Sequence, residues 1–191
     1  MLMMIMTQMA EGTSDRAELD RLLAGIAAGE QEALAQLYHR TRGAVYALAV
    51  SYLKDPEEAG DVTQDAFVRI WDNAPGYCSQ GSPMAWILTI TRNLARMKLR
   101  ERNKLVDLED EQWEAIPADA PSVTPEDRQV LQEALATLTS EERRIVLLHA
   151  VSDLKHREIA RLLELPLSTV LSKYHRALKK LRNQMEGDAT R

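Results

Sequence analysis

One stretch near the C-terminus decides the fold of this part of the chain: Arg157-Glu158-Ile159-Ala160-Arg161-Leu162-Leu163-Glu164-Leu165-Pro166-Leu167-Ser168-Thr169-Val170. It predicts two helices separated at Leu165–Pro166, because proline cannot continue a helix but fits the first turn of one. On the first helix Ile159 and Leu163 face inward, and Ala160 is small where a second helix must cross closely. Val170 is placed to pack back against the first helix. These are the physical requirements of a helix-turn-helix, whose second helix enters the DNA major groove in many proteins.

The helix after the turn, predicted from about Leu167 to Gln184, has one apolar face and one polar face. The apolar face predicts a buried stripe formed by Val170, Tyr174, Leu178 and Leu181. The polar face carries no acidic residue, and we expect DNA contacts from these side chains: Ser168, Thr169, Ser172, Lys173, Arg176 and Lys179. Hydroxyls and free amides at a helix start bind phosphate, whereas Lys and Arg reach base edges in a major groove. A basic surface helix of an ordinary bundle would share this pattern, so that alternative stays open at this point.

The composition of the 191-residue chain favours helices, because Leu, Ala, Glu and Arg are plentiful while Gly and Pro are few. A chain of this length holds one domain or two small ones. Its apolar fraction of 45% is enough to form a core. The net charge of -5 is unusual for a protein that binds DNA. Basic and acidic residues are segregated along the chain, however, so the local field counts for more than the total.

The N-terminal half shows helical spacing and no alternating strand pattern. We expect residues 1–21 to be flexible, as chain ends usually are. Asp55-Pro56-Glu57-Glu58 predicts a helix start with Asp55 as N-cap and Pro56 in the first turn. Ser82-Pro83 predicts the start of another helix, which contains a basic cluster: Arg92, Arg96, Lys98, Arg100, Arg102 and Lys104. We predict one helical unit over residues 22–104.

Residues 105–123 differ sharply from the rest of the chain, because they are rich in Asp and Glu, contain two prolines and lack Lys and Arg. This composition predicts an interdomain linker. Thr124-Pro125 and Thr139-Ser140-Glu141-Glu142 then predict two further helix starts, the second of them a capping box. A second unit, which contains the helix-turn-helix, is predicted over residues 124–186. The predicted fold class is therefore all-α, with two small helical bundles joined by an acidic linker.

The sequence does not indicate an enzyme or a metal site. Cys78 has no second cysteine to pair with, which suits a reducing cytosol. The four histidines, His39, His149, His156 and His175, lack the spacing of metal ligands. No stretch approaches the ~20 apolar residues of a membrane span. We therefore expect no catalytic residue, cofactor or metal, a cytoplasmic location, and no membrane association by the chain itself.

Two separate groups of residues share their pattern with one family of proteins. The C-terminal group consists of Glu158-Ile159-Ala160, Pro166, Thr169-Val170, Ser172 and the run from Arg176 to Arg182. The N-terminal group consists of the segments from Asp61 to Trp71 and from Met84 to Asn93. Together they resemble regions 4 and 2 of the extracytoplasmic-function (group IV) sigma factors of the sigma-70 family. The resemblance extends from about Leu22 to Met185, in the order of the family and with an acidic segment between the two regions.

This resemblance implies a subunit that binds core RNA polymerase, directs promoter-specific initiation and performs no bond chemistry. It assigns polymerase binding to Asp61, Gln64, Asp65 and Phe67. It assigns minus-ten recognition to Trp86, Arg92, Asn93, Arg96, Lys98 and Arg100, and minus-thirty-five recognition to the polar face of the last helix. By pattern alone, Phe67 and Trp86 are better suited to a core than to a binding surface, since each lies on a helix with other apolar residues. The implied partners are the clamp helices and flap of core polymerase, promoter DNA and an anti-sigma factor, in a stress response.

Some positions depart from the family pattern. Asp153, Glu164 and Ser168 stand where Gly is frequent, which predicts a non-glycine residue at positive φ in the turn. Leu171 stands where a basic residue is common, so we expect an altered promoter preference. A stand-alone helix-turn-helix regulator, similar to the output domain of a response regulator, is the alternative function. Such a regulator would bind its DNA tightly without RNA polymerase.

Overall fold

The computed structural model describes residues 2–79, 81–105, 135–152 and 154–188, with side chains for residues 15–79, 81–102, 135–152 and 154–184. These ranges contain helices and no strand, which confirms the all-α prediction. The helices are α1 (Leu2–Ala27), α2 (Gln31–Leu53), α3 (Pro56–Asn73), α4 (Pro83–Leu105), α5 (Ser140–Ser152), α6 (His156–Leu163) and α7 (Leu167–Asp188), with a 3-10 turn at Ala74–Gly76. The predicted linker, apart from Leu105, and the predicted helix start at Thr124 lie outside the described residues. No helix in the described ranges is both long enough and apolar enough to span a membrane.

Three helix starts follow the capping signals that the sequence predicted, and at the start of α4 the Ala85 amide donates to Ser82 Oγ at 3.3 Å. At the start of α3, Asp55 Oδ1 accepts hydrogen bonds from the amides of Glu57 (2.8 Å) and Glu58 (3.0 Å). Thr139 and Glu142 form the capping box of α5. The Thr139 amide donates to Glu142 Oε2 at 3.0 Å, and the Glu142 amide donates to Thr139 Oγ1 at 3.3 Å. Such caps satisfy amides that lack a partner inside the helix, and each is typically worth about 1 kcal/mol.

The first unit consists of α1 to α4, with α2 packed against the other three helices. Its centre is formed by fully buried side chains: Leu23, Leu37, Val45, Ile70 and Ile87. The sequence predicted that the first folded unit starts at residue 22. Helix α1 already begins at Leu2. Leu19 on this helix is 3% exposed and extends the apolar face that α1 buries. Burial against α2 therefore supports helix beyond the range in which local pattern alone predicted it.

The second unit contains α5, α6 and α7. Each helix contributes one fully buried branched side chain to its centre, namely Ile145, Ile159 and Val170. The predicted place of Leu178 in the buried stripe of α7 is wrong. Leu178 is 38% exposed, whereas its neighbour Ala177 is fully buried and packs with the segment just before α5. The small Ala177 side chain allows close approach at this contact, which the sequence pattern of α7 by itself does not reveal.

The two units pack directly against each other along α2 and α5. Leu48 of α2 and Leu148 of α5 line this contact. Arg144 of α5 donates hydrogen bonds of 3.3 and 3.2 Å to the carbonyl oxygen of Ser51, and its guanidinium lies 3.9 Å from the centroid of the Tyr52 ring. Burial lowers the pKa of Arg144, and the carbonyl and the ring face compensate for the lost water. One apolar core therefore includes residues of both units.

Candidate nucleic-acid interface

Arg92 lies where α4 meets the helix-turn-helix, and it is only 9% exposed. Its guanidinium donates hydrogen bonds to the carbonyl oxygen of Leu162 on α6 and to Asn93 Oδ1, the latter at 3.2 Å. It also lies 3.1 Å from the carboxylate of Glu164. The third guanidinium nitrogen, Nε, is buried without a hydrogen-bond partner. Arg92, predicted to contact DNA, is thus held between the two units.

Glu164 ends α6 in the left-handed conformation, with φ 59° and ψ 38°. Of the three positions for which a non-glycine residue at positive φ was predicted, Glu164 confirms the prediction, the prediction for Ser168 is wrong, and Asp153 lies outside the described residues. The carboxylate of Glu164 also binds Arg96, with 3.1 Å between Nη1 and Oε2. The hydrogen bond from Arg96 and the charge of Arg92 lower the pKa of Glu164. One carboxylate of the turn therefore engages two of the predicted minus-ten residues.

The other predicted minus-ten residues on α4 have varied surroundings. Asn93 and Arg100 are exposed, and Lys98 is partly exposed. Trp86 is half-buried, with its ring centroid 4.9 Å from that of Tyr77. Its indole therefore packs against the segment that follows the 3-10 turn and presents only part of its surface.

A polar cleft of about 500 Å³ opens between α4 and α6 beside these arginines. Trp86, Thr89 and Arg92 line it from α4, while Arg161 and Glu164 line it from the helix-turn-helix. Arginines and a carboxylate thus face one another across a space that water can enter. The surface of α4 that carries the predicted minus-ten residues is partly covered by α6 but is not sealed by it.

The predicted polymerase-binding residues divide between the surface and the core. Asp61, Gln64 and Asp65 are exposed on α3. Phe67 is 5% exposed, and its ring packs edge-on against Tyr38 with 4.8 Å between centroids. The structure therefore places Phe67 in the core of the first unit. Val68, which is 60% exposed, is the apolar side chain that α3 presents to solvent.

The predicted minus-thirty-five residues lie along α7. Four of them are exposed, namely Ser168, Ser172, Arg176 and Lys179, and Thr169 is partly buried. Lys173 is also partly buried, and its Nζ lies 2.7 Å from Glu141 Oε2 on α5. Lys173 therefore helps to anchor α7 to α5. Arg176 and Lys179 have no ion pair among the described residues and are freer to meet an external anion.

A ring cluster in the second unit was not predicted from the sequence. His149 and His156 stack with 4.6 Å between centroids, and Tyr174 packs edge-on against both. The Nε2 atom of His156 is buried without a hydrogen-bond partner, and burial, followed by the charges of His149 and His175, lowers the pKa of His156. The cluster packs the helix-turn-helix. Over the described part of the chain, no three His, Cys, Asp or Glu side chains are grouped as metal ligands.

Sequence reasoning missed two contacts between the units. Arg144 binds Ser51 and Tyr52, and Glu164 binds Arg92 and Arg96. Arg144 follows two glutamates and another arginine, a pattern typical of a solvated helix face, so nothing local signals its burial. Glu164 did carry a signal, because a charged residue occupies a position whose conformation favours glycine. That signal indicated the backbone conformation but not the arginines that the carboxylate binds.

Comparison with known protein families and curated proteins gives matches over both units. The family model Sigma-70 region 2 matches residues 37–105, and the model Sigma-70, region 4 matches residues 128–181. ECF RNA polymerase sigma factor SigK of Mycolicibacterium vanbaalenii is 31% identical over 174 residues, covering 87% of this chain and 88% of the relative. SigK of Mycobacterium ulcerans is 32% identical over 183 residues, covering 92% and 96%. The similarity therefore extends across nearly the whole chain.

Two solved structures share the fold. CnrH, in complex with the cytosolic domain of CnrY, matches with a TM-score of 0.61 and 24% identity, over 90% of this chain and 99% of that one. The sigma factor RpoE from Bartonella quintana, in complex with the anti-sigma factor NepR, matches with a TM-score of 0.65 and 24% identity, over 80% and 96%. At this level of identity the likeness establishes the fold alone.

Proposed function

This chain belongs to the extracytoplasmic-function sigma factors of the sigma-70 family, and from that membership we propose how its surfaces divide the work of transcription initiation. As a sigma factor it binds core RNA polymerase and directs promoter-specific initiation, with region 2 reading the minus-ten element and region 4 the minus-thirty-five element. The observation that carries this function is the match of both regions, in order, within one chain. A stand-alone helix-turn-helix regulator is not favoured, because it leaves the region 2 match over residues 37–105 unexplained.

Core polymerase binds, in this proposal, to the exposed face of α3. Asp61, Gln64, Asp65 and Val68 are all exposed there, and their spacing places them on one side of the helix. Two carboxylates beside an exposed apolar side chain suit a partner helix with basic and apolar positions, such as a clamp helix of the largest subunit. Phe67 supports this surface from beneath by packing α3 on the core.

The minus-ten element binds to α4. Exposed Asn93 is suited to hydrogen bonding with a base edge, and Lys98 and Arg100 are suited to the phosphates of the same strand. Opening a base pair costs a few kcal/mol, which contacts to the extracted base and its phosphates must offset. The exposed part of the Trp86 indole offers a stacking face worth roughly 1–3 kcal/mol. Arg92 and Arg96 join this surface only when Glu164 releases them.

The minus-thirty-five element binds to α7, the recognition helix. Ser168, Thr169 and Ser172 lie in its first turns, where hydroxyls and free amides meet phosphate, and Arg176 and Lys179 follow on the exposed side. Lys173 contributes when it exchanges Glu141 for a phosphate. Leu171 is 37% exposed on this helix and offers an apolar contact, such as that made with the methyl group of thymine. This contact is a physical reason for the altered promoter preference.

The protein acts in the cytoplasm, without a cofactor or a metal, and an anti-sigma factor controls it during a stress response. Support for such a partner comes from the two similar structures, which were solved as complexes with CnrY and with the anti-sigma factor NepR. A protein that positions a polymerase needs binding surfaces rather than a reacting group, so we assign no catalytic residue.

Run-off transcription with purified core RNA polymerase and a panel of promoters tests the function. We expect the full chain to redirect initiation to a subset of promoters that core polymerase alone does not use. Core polymerase alone and the chain alone are the controls. A chain that binds promoters tightly by itself and never redirects initiation would instead be the stand-alone regulator.

A further inference from the structure

Region 4 places a carboxylate directly on the DNA-binding surface proposed for region 2. We infer that Arg92 and Arg96 form an anion site whose ligand is a phosphate of the promoter strand, and that Glu164 occupies this site while the two regions are packed together. The inference rests on the proposed function and adds to it a regulation of the minus-ten surface by region 4 itself.

The geometry of the contact is that of an anion site. Arg92 and Arg96 are four residues apart on α4, so their side chains share one face of the helix. Each of the two carboxylate oxygens of Glu164 serves one arginine: Oε1 lies 3.1 Å from Arg92 Nη2, and Oε2 lies 3.1 Å from Arg96 Nη1. A phosphodiester presents two anionic oxygens in a similar way, and arginine binds it with the same donors.

The site keeps an unused hydrogen-bond donor when the carboxylate is its ligand. Arg92 is nine-tenths buried, and its Nε has no acceptor. A buried donor without a partner is unfavourable. A phosphate with its ester oxygens, or a water carried with it, brings acceptors that a single carboxylate lacks. The site is therefore better completed by a nucleic-acid backbone than by Glu164.

The backbone of Glu164 is fixed in the turn, but its side chain is free to be displaced from the arginines by DNA. Its backbone is held in the turn by hydrogen bonds from its own amide to the Arg161 carbonyl and from the Leu165 amide to the Ala160 carbonyl (2.9 Å). The side chain takes no part in those bonds. It is 61% exposed, and Arg96 is 43% exposed. The pair with Arg96 is therefore weak and sensitive to salt, whereas the Arg92 side chain is only 11% exposed and its pair is screened less.

The packing of α2 on α5 keeps the competing carboxylate close to the site. Leu48, Leu148 and the partly buried Arg144 hold the regions together through a contact between α2 and α5, whereas Arg92 and Arg96 lie on α4. The turn therefore presents Glu164 to α4 at a high effective concentration. A phosphate that takes the arginines also removes the ion pairs between the turn and α4, which favours separation of the two regions.

A double-mutant cycle on the full chain, without polymerase, tests this inference. The readout is fluorescence anisotropy of a short labelled single-stranded DNA. Glu164→Gln is expected to bind this DNA about two- to tenfold more tightly than the natural chain at low salt, a range set by the loss of one exposed ion pair with Arg96 and one partly buried ion pair with Arg92. The gain should shrink as salt rises and should vanish in the Arg92→Ala/Arg96→Ala background, where the carboxylate has nothing to compete for.

Two further variants separate this effect from net charge and from misfolding. Glu32→Gln removes the same charge from an exposed site on α2 and should leave DNA affinity nearly unchanged. Glu164→Asp keeps the charge and tolerates the left-handed turn, but its shorter side chain cannot span both arginines, so it should also bind DNA more tightly. Equal gains for Glu164→Gln and Glu32→Gln, or a Glu164→Gln gain that persists without the two arginines, would overturn the inference. Failure of the sigma function itself would appear separately, as absent run-off transcription.

Discussion

The two basic helices, α4 of region 2 and α7 of region 4, carry similar side chains in very different surroundings. On α7 the cations Arg176 and Lys179 are exposed and have no ion pair among the described residues. On α4 the cation Arg92 is nine-tenths buried, and it shares the carboxylate of Glu164 with Arg96. The outer face of α7 meets solvent, whereas α4 meets the turn of the other region. A run of basic residues therefore locates cations but does not tell whether they are free to bind DNA.

The difference suggests an order of engagement at a promoter. Region 4 can offer its recognition helix while the two regions are packed together, because no described part of region 2 covers Arg176 or Lys179. In the proposed function region 2 offers Asn93, Lys98 and Arg100 to DNA, and by the inference above it gains Arg92 and Arg96 only after the turn is displaced. Each of the following changes tests one side of this comparison.

The largest change in the free energy of unfolding is expected when a core side chain of region 4 is removed and region 2 is left unchanged. Ile159→Ala removes a fully buried side chain from α6 and leaves a cavity, which costs about 2–5 kcal/mol. Leu37 and Ile87 belong to the same apolar core as Ile159, but helices α1 to α4 bury most of their apolar side chains against one another, so region 2 should lose less stability than region 4. Urea unfolding followed by circular dichroism reports the whole chain. In a Trp113→Phe background, which removes the third tryptophan, the fluorescence of Trp71 and Trp86 reports mainly region 2.

Ile159→Val is the matched control, since it should cost only about 0.5–1.5 kcal/mol. If both probes moved together and by the same amount, the two regions would unfold as one cooperative unit. The contrast between α4 and α7 would then describe two faces of a single domain.

A smaller loss, of promoter recognition, is expected when the exposed cation Arg176 is removed from α7. Arg176→Ala removes a side chain able to bind a base edge, and such a contact is worth about 1–3 kcal/mol of recognition. Run-off transcription should fall at promoters that depend on the minus-thirty-five element, while binding to core polymerase stays unchanged. Arg42→Ala, which removes one exposed charge from α2, is the control. Equal losses in transcription and in polymerase binding would contradict the role given to Arg176.

Acid should weaken the anchor of α7 within region 4. Glu142 is buried and binds Lys180 Nζ at 2.7 Å. Burial acts to raise the pKa of Glu142, but the bonds from Lys180 and Thr139 outweigh it, so the pKa is lowered below 4.5. A carboxylate of this kind stabilises the fold above its unfolded pKa, and the contribution is lost as pH falls through the folded pKa. Denaturation at several pH values should therefore show region 4 weakening below about pH 4.5.

Glu142→Gln should lower stability at pH 7 by about 1–2 kcal/mol, because Lys180 loses its partner. It should also flatten the acid dependence. Glu141→Gln is the neighbouring control, since that side chain is 47% exposed and its pair with Lys173 should matter less. A steeper acid dependence in Glu142→Gln would show that another group is responsible.

The smallest change in stability is expected from protonation of the ring cluster formed by His149, His156 and Tyr174. Burial lowers the pKa of His156 below its usual 6.5, so the unfolded chain takes up a proton more readily than the folded one. Stability should therefore fall as pH drops below about 6.5 and level off below the folded pKa, with a slope under the limit of ~1.4 kcal/mol per pH unit for one proton. His156→Gln should remove this slope, whereas His39→Gln at an exposed site should keep it. Identical slopes in both variants would assign the titration elsewhere.

Local signals predicted the helix ends well because they act over three or four residues. Asp55 caps α3, Thr139 and Glu142 form a capping box, and Glu164 takes a positive φ, each as the sequence indicated. Prediction was weaker at the edges of helix faces. Leu178 and Ala177 differ by one position on α7, and only the packing partner before α5 decides which of them is buried.

The sequence by itself determined the helical fold class, three capped helix starts, the helix-turn-helix and the order of the two regions, because composition, spacing and caps are short-range properties. Only the tertiary structure decided which charges are free. Arg96 meets Glu164 across 68 positions of sequence, and Arg144 meets Ser51 across 93. Whether an arginine faces solvent, a carbonyl or a carboxylate depends on the element folded against it. The long-range packing of one region on the other thus sets how much of the basic surface is exposed.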